Sequence, residues 1–201
     1  LEAALVGAAR LGLGALPWRG ALRVGAGLGD ALRGLGVRRR VVEENLRHAF
    51  PEMEAAVRER LSADFYRELG RVAAEYPRLP ELAAAPGGQV VSRSEGLGHI
   101  ESALARGRGV LLLSGHFGNF ELLGAWLTHQ GFSIDVIVRR LRNPWVDEWV
   151  NRLRRRAGVG IIPLGAGIRG VLAALRENRC VAMVADQDAR RRGMFVPFLG
   201  R

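Results

Sequence analysis

Lysine is absent: all 30 basic side chains among the 201 residues are arginines, and against 20 acidic residues they leave a formal net charge of +10. A guanidinium surplus suits anionic partners, because its planar fork grips phosphate and carboxylate bidentately. Cysteine is limited to Cys180. That excludes an internal disulfide, and its setting in an apolar run reads as a buried thiol of a reducing compartment. Long apolar runs are missing too. No stretch free of Asp, Glu and Arg reaches the ~18 residues a membrane-spanning helix needs. Aromatic residues are 6% of the chain, and no aromatic or glycine-based RNA or DNA module accompanies the run Arg152, Arg154, Arg155 and Arg156. That run reads as a solvated helix face, and nucleic acid is not an expected partner.

What is present is a globular balance, 48% hydrophobic and 25% charged, which argues against disorder or a fibrous rod and gives one domain with a real core. Residues 1–36 are Leu, Ala and Gly broken by Arg10, Arg19, Arg23 and Arg33. They read as two short helices hinged at Pro17-Trp18. Each glycine there costs about 1 kcal/mol of helix propensity relative to alanine, so the helices need apolar or lipid surroundings. Two placements follow: a layer packed on the body, or an interfacial anchor with arginines among headgroups and Trp18 at the boundary. Two amphipathic helices follow, one ending at Phe50-Pro51 and one at Pro77. A Pro- and Gly-rich passage over 77–90 closes this half.

From residue 90 the pattern alternates. Apolar runs at 109–114, 132–138, 159–163 and 180–185 are separated by helical stretches at 118–130, 144–156 and 167–178. This predicts an α/β fold with a largely parallel sheet flanked by helices, whose sites lie at the carboxyl ends of the strands. We divide the chain into a segment 1–36 and an α/β domain 37–201. It opens on Leu1 and stops at Arg201 just after a strand-like run from Met194 to Leu199, so both ends are expected to be cut.

The first strand runs into Ser114-Gly115-His116-Phe117-Gly118-Asn119-Phe120-Glu121. In one continuous helix His116 and Glu121 would point ~140° apart, so they meet only across a turn. If the helix starts near Asn119, the carboxylate reaches one imidazole nitrogen and leaves the other for substrate, a base with its orienter. The competing reading is local: Asn119 caps the helix, Glu121 favours its positive N-terminus, and His116 is a polar turn residue. Ser114 lacks the G-x-S-x-G setting of a nucleophile. A metal site is not expected, because His129 and Cys180 lie too far along their elements to join His116. Polar residues also gather at later strand ends: Arg139 and Arg140, Asn143 before Pro144, and Asp186-Gln187-Asp188. Gly165, Gly167 and Gly170 match G-x-G-x-x-G after a strand, which keeps a nucleotide-binding oxidoreductase reading open, although Pro163-Leu164 interrupts the tight turn. A non-enzymatic membrane-binding module is the other alternative.

The stretch Gly115-His116-Phe117-Gly118-Asn119-Phe120-Glu121 resembles the lipid A biosynthesis acyltransferase family, the lauroyl and myristoyl transferases of lipopolysaccharide assembly. So do Asn45-Leu46-Arg47-His48-Ala49-Phe50-Pro51, Arg139 with Asn143-Pro144, Asp186-Gln187, and Gly193-Met194-Phe195-Val196-Pro197-Phe198. The resemblance implies a lysophospholipid-acyltransferase-type α/β fold, a helical N-terminus at the cytoplasmic face of the bacterial inner membrane, and no cofactor. It implies acyl transfer from acyl carrier protein to a hydroxyl of an anionic glycolipid, a lipid A precursor or a related acceptor such as a phosphatidylinositol mannoside. It carries an H-x4-D/E pair onto His116 and Glu121; with His116 as base and Glu121 stabilising the imidazolium, we expect direct transfer and no acyl-enzyme. Asn119, Arg139, Asn143, Asp186 and Gln187 are expected to line the substrate pocket. A further αβ segment beyond Arg201 is expected to be missing.

Overall fold

The computed structural model describes residues 12–86, 89–187, 193–194 and 196–197. Its described residues divide into two compact units, one built on 12–76 and the other on Pro77–Gln187.

The first unit is helical. After a turn of helix over 12–15, the chain bends before Pro17 and runs through α1 (Trp18–Gly34), α2 (Arg39–Ala49) and α3 (Ala55–Glu75). Helices α1 and α3 pack through glycine. A Cβ added at Gly25 would overlap the carbonyl oxygen of Gly70, one at Gly29 that of Tyr66, and one at Gly70 that of Gly25. The glycines that weaken α1 as an isolated helix thus let two backbones touch, and dispersion across that contact offsets their cost. Around it, Arg67 Nε donates to Asp30 at 2.9 Å, and Arg33 pairs with Glu59.

The second unit holds α4 (Leu79–Ala83), α5 (Leu97–Leu104), and then β1 (Val110–Ser114), α6 (Phe120–His129), β2 (Ile134–Val138), α7 (Pro144–Arg156), β3 (Gly160–Pro163), α8 (Gly167–Arg176) and β4 (Cys180–Val184). The alternation expected from the apolar runs is present, strand by strand. The reading did not anticipate α4 and α5. The first falls in the Pro-rich passage, where Pro80 occupies the first turn that proline tolerates.

Among the described residues all strands are parallel, in the order β1-β4-β2-β3; most of the strand-like run from Met194 to Leu199 lies outside the described residues. The last strand therefore inserts between the first two. Right-handed crossovers then put α6 and α7 on one face, where both meet α4, and α8 on the other. Val171 and Ala174 of α8 pack on Ile162 and Val181 there. At the amino ends of the strands, buried Asp135 accepts from Arg179 Nη2 at 2.9 Å. The pair leaves no room for a side chain at Gly160. Among the described residues no helix is long and apolar enough to cross a membrane.

Candidate active site

Parallel register decides which residues meet at the carboxyl edge. Ser114 pairs with Val184, so residues two positions beyond each strand, His116 and Asp186, lie opposite one another. The main-chain N–H of His116 donates to Asp186 Oδ2 at 2.8 Å, and its ring Nδ1 lies 2.7 Å from Oδ1. Gly115 lies tight against the same carboxylate, where a Cβ would come within 3.3 Å of Oδ2. The Phe120 ring stands edge-on to the imidazole at 4.9 Å.

Burial raises the Asp186 pKa, but the hydrogen bonds from the His116 ring and backbone outweigh it and leave the acid below its ordinary value. An ionised carboxylate only accepts, so Nδ1 carries the proton and donates it to Asp186. The lone pair on Nε2 is then left for another proton.

Glu121 does not orient the imidazole. Its carboxylate is buried under α6 and held by Arg154 of α7: Nε donates to Oε2 at 2.9 Å, and Nη2 pairs with Oε1. The expected His116–Glu121 bond is replaced by two separate pairs. The physical reason is direction, since Glu121 lies in the first turn of α6 on the face packed towards α7, whereas His116 stays in the loop and faces β4. Arg152, Arg155 and Arg156 are the solvated residues of their run; Arg154 turns inward, and its Nη1 donates to Asn151 Oδ1 at 2.9 Å.

Asn119 accepts from the Leu122 N–H at 2.9 Å and caps α6, while Asn143 accepts from the Trp145 N–H at 3.1 Å and caps α7. Both caps aim helix starts at the carboxyl edge of the sheet. Arg139 is exposed at the end of β2, and Gln187 is exposed beside Asp186. Asp188 lies outside the described residues. Beyond β3 the tight strand-to-glycine turn of a dinucleotide site is replaced by a 3-10 turn over Leu164–Ala166. Among the described residues no group of three or more His, Cys, Asp or Glu side chains is placed to hold a metal. Cys180 is buried at the amino end of β4, where burial raises its pKa, which fits a structural thiol.

An imidazole oriented by a carboxylate at the open edge of a parallel sheet is an arrangement suited to general-base chemistry in an α/β protein. The family model for bacterial lipid A biosynthesis acyltransferase matches residues 2–201, and the chain belongs to that family. It is 30% identical over 167 residues to the lipid A biosynthesis palmitoleoyltransferase of Escherichia coli K12, covering 80% of this chain and 52% of that protein. It is 29% identical over 187 residues to the lauroyltransferase of the same organism, covering 90% and 59%. To the phosphatidylinositol mannoside acyltransferase of Mycobacterium tuberculosis H37Rv it is 29% identical over 164 residues, covering 79% and 52%. The chain thus spans about half the length of these curated relatives.

Proposed function

We propose that this chain carries the acyl-transferring site of an enzyme that moves a fatty acyl group from a thioester, with acyl carrier protein as donor, to a hydroxyl of an anionic glycolipid at the cytoplasmic face of the bacterial inner membrane. The observation that carries the reading is the His116–Asp186 pair in a member of this family. His116 Nε2 takes the proton of the acceptor hydroxyl as the oxygen attacks the thioester carbonyl. The imidazolium that forms is stabilised by Asp186, and its proton then goes to the departing thiolate. The acyl group passes directly to the acceptor, so no acyl-enzyme forms.

Charge developing on the carbonyl oxygen is met by the positive N-terminal end of α6, with Arg139 available across the edge. Glu121 and Arg154 act one layer beneath, fixing α6 and hence the loop that presents His116. The acceptor class rests on the relatives' names, which join lipid A with phosphatidylinositol mannosides; both are anionic glycolipids with free hydroxyls.

The test is thin-layer analysis of acyl transfer from acyl carrier protein to a panel of both acceptor types. The parental protein should transfer to at least one acceptor, and His116→Ala should transfer to none. Equal transfer by His116→Ala would remove the base from the mechanism. An acyl-protein intermediate isolated from the parent would replace direct attack with a two-step route.

A further inference from the structure

The four strands put their carboxyl ends on one edge of the sheet, and the segments that follow them are both apolar and basic. Five large apolar side chains stand out from three of them: Phe117 after β1, Leu141 and Trp145 after β2, and Leu164 and Ile168 after β3. Their exposure ranges from 44% at Leu141 to 91% at Phe117. At ~4.8 Å per strand the rim is ~14 Å wide, and the His116–Asp186 pair stands at its β1–β4 end. Between the apolar residues lie Arg139, Arg140 and Arg142. All are exposed, and none has a hydrogen bond or ion pair within the described residues. Elsewhere arginines are commonly engaged, as Arg39, Arg67, Arg154 and Arg179 are.

We propose that this rim is a membrane-docking surface belonging to the α/β unit itself, separate from the N-terminal helices, which sets His116 at the level of lipid headgroups. The inference rests on the proposed reading for what the rim delivers, an acceptor hydroxyl. The occupant is an anionic lipid surface for two reasons. Leu141 and, in the first turn of α7, Trp145 lie close in sequence to unpaired Arg139, Arg140 and Arg142, the combination that seats apolar tips in the acyl region and guanidinium groups among phosphates. A second copy of the chain docked by the same rim would bring these arginines against their own equivalents, while the nearby carboxylates of Asp147, Glu148 and Asp186 are already engaged by the Leu141 N–H, Arg155 and His116. An acceptor lipid held in the bilayer then reaches His116 without leaving the interface.

The experiment is flotation of the full chain with phosphatidylcholine–phosphatidylglycerol vesicles, beside light scattering in their absence. The triple variant Leu141→Glu/Trp145→Glu/Ile168→Glu should partition at least tenfold less than the parent while keeping its circular dichroism spectrum. Arg140→Gln/Arg142→Gln should lose about fivefold per arginine at low salt and little at high salt. In the parent, brominated acyl chains should quench a fluorescence component that Trp145→Phe lacks. Equal flotation of the triple variant, or no quenched component at Trp145, overturns the proposal. So does a parental dimer that the triple variant dissolves, since the rim would then be covered by protein. Transfer to a water-soluble acceptor separates this from the functional reading: the rim variants should keep it and His116→Ala should lose it. A His116→Ala protein that retained it would sink the chemistry and leave the rim standing.

Discussion

His116 and Asp186, 70 residues apart in sequence, are joined twice, through the ring Nδ1 and through the main-chain N–H of the histidine. One carboxylate therefore fixes both the imidazole and the backbone that carries it. Asp186→Asn keeps the shape but reverses the favoured tautomer, because the amide can donate to Nδ1 and leave the proton on Nε2. Turnover should fall by ~10²–10⁴, as for loss of a positioned base, with acyl-donor binding retained. Normal turnover in Asp186→Asn would mean that the bond is not used.

The same pair has a pH signature. The folded-state pKa of Asp186 lies below its ordinary value, so its ionised form stabilises the fold above the unfolded carboxylate pKa of about 3.9. That contribution is lost as pH falls through the folded value. The melting temperatures of parent and Asp186→Asn should differ at neutral pH and converge on strong acidification. A difference that grew towards acid would contradict the sign.

Glu121 makes a contrasting prediction. Its carboxylate is buried against Arg154, and removing one member of such a pair leaves a buried charge, at a cost of about 3 kcal/mol. Glu121→Gln should thus lower the urea midpoint before it affects chemistry per folded molecule. The double variant Glu121→Gln/Arg154→Leu should recover much of the loss. If Glu121→Gln were as stable as the parent yet inactive, the glutamate would have a direct part in the reaction.

At the opposite edge of the sheet, Gly160→Ala should cost ~1–3 kcal/mol, because a Cβ there overlaps Asp135 Oδ1 in its pair with Arg179. Gly165→Ala, where no atom lies within 4 Å of the added carbon, is the matched control and should be close to neutral by chemical denaturation.

Much of this was readable in the sequence, and the line between readable and not is physical. Apolar runs alternating with helical stretches located β1 to β4 and the helices between them, since strand and crossover are local patterns. The glycines before Asn119 and the Asn143-Pro144 step located both helix starts. Non-local facts stayed hidden. Spacing offered Glu121 as the nearest carboxylate to His116, but the sheet order supplies Asp186, and nothing along the chain says that β4 enters between β1 and β2. Arg154 looked like its solvated neighbours because only packing singles out one arginine of a basic run. Likewise the glycines of α1 looked like weakness until α3 lay against them.

The order β1-β4-β2-β3 bears finally on how the site comes into being on the ribosome. Among the described residues strand β1 pairs with β4 alone, so when β1 to β3 have emerged the first strand lacks that partner and His116 lacks Asp186. Synthesis of β4 joins β1 to β2 and, two residues later, supplies Asp186. Chain growth at about 5–20 residues per second leaves that slot vacant for seconds, with apolar strand edges open to chaperones. A nascent chain released early would therefore be both misfolded and chemically silent, and partial translation products would release no active base into the cell.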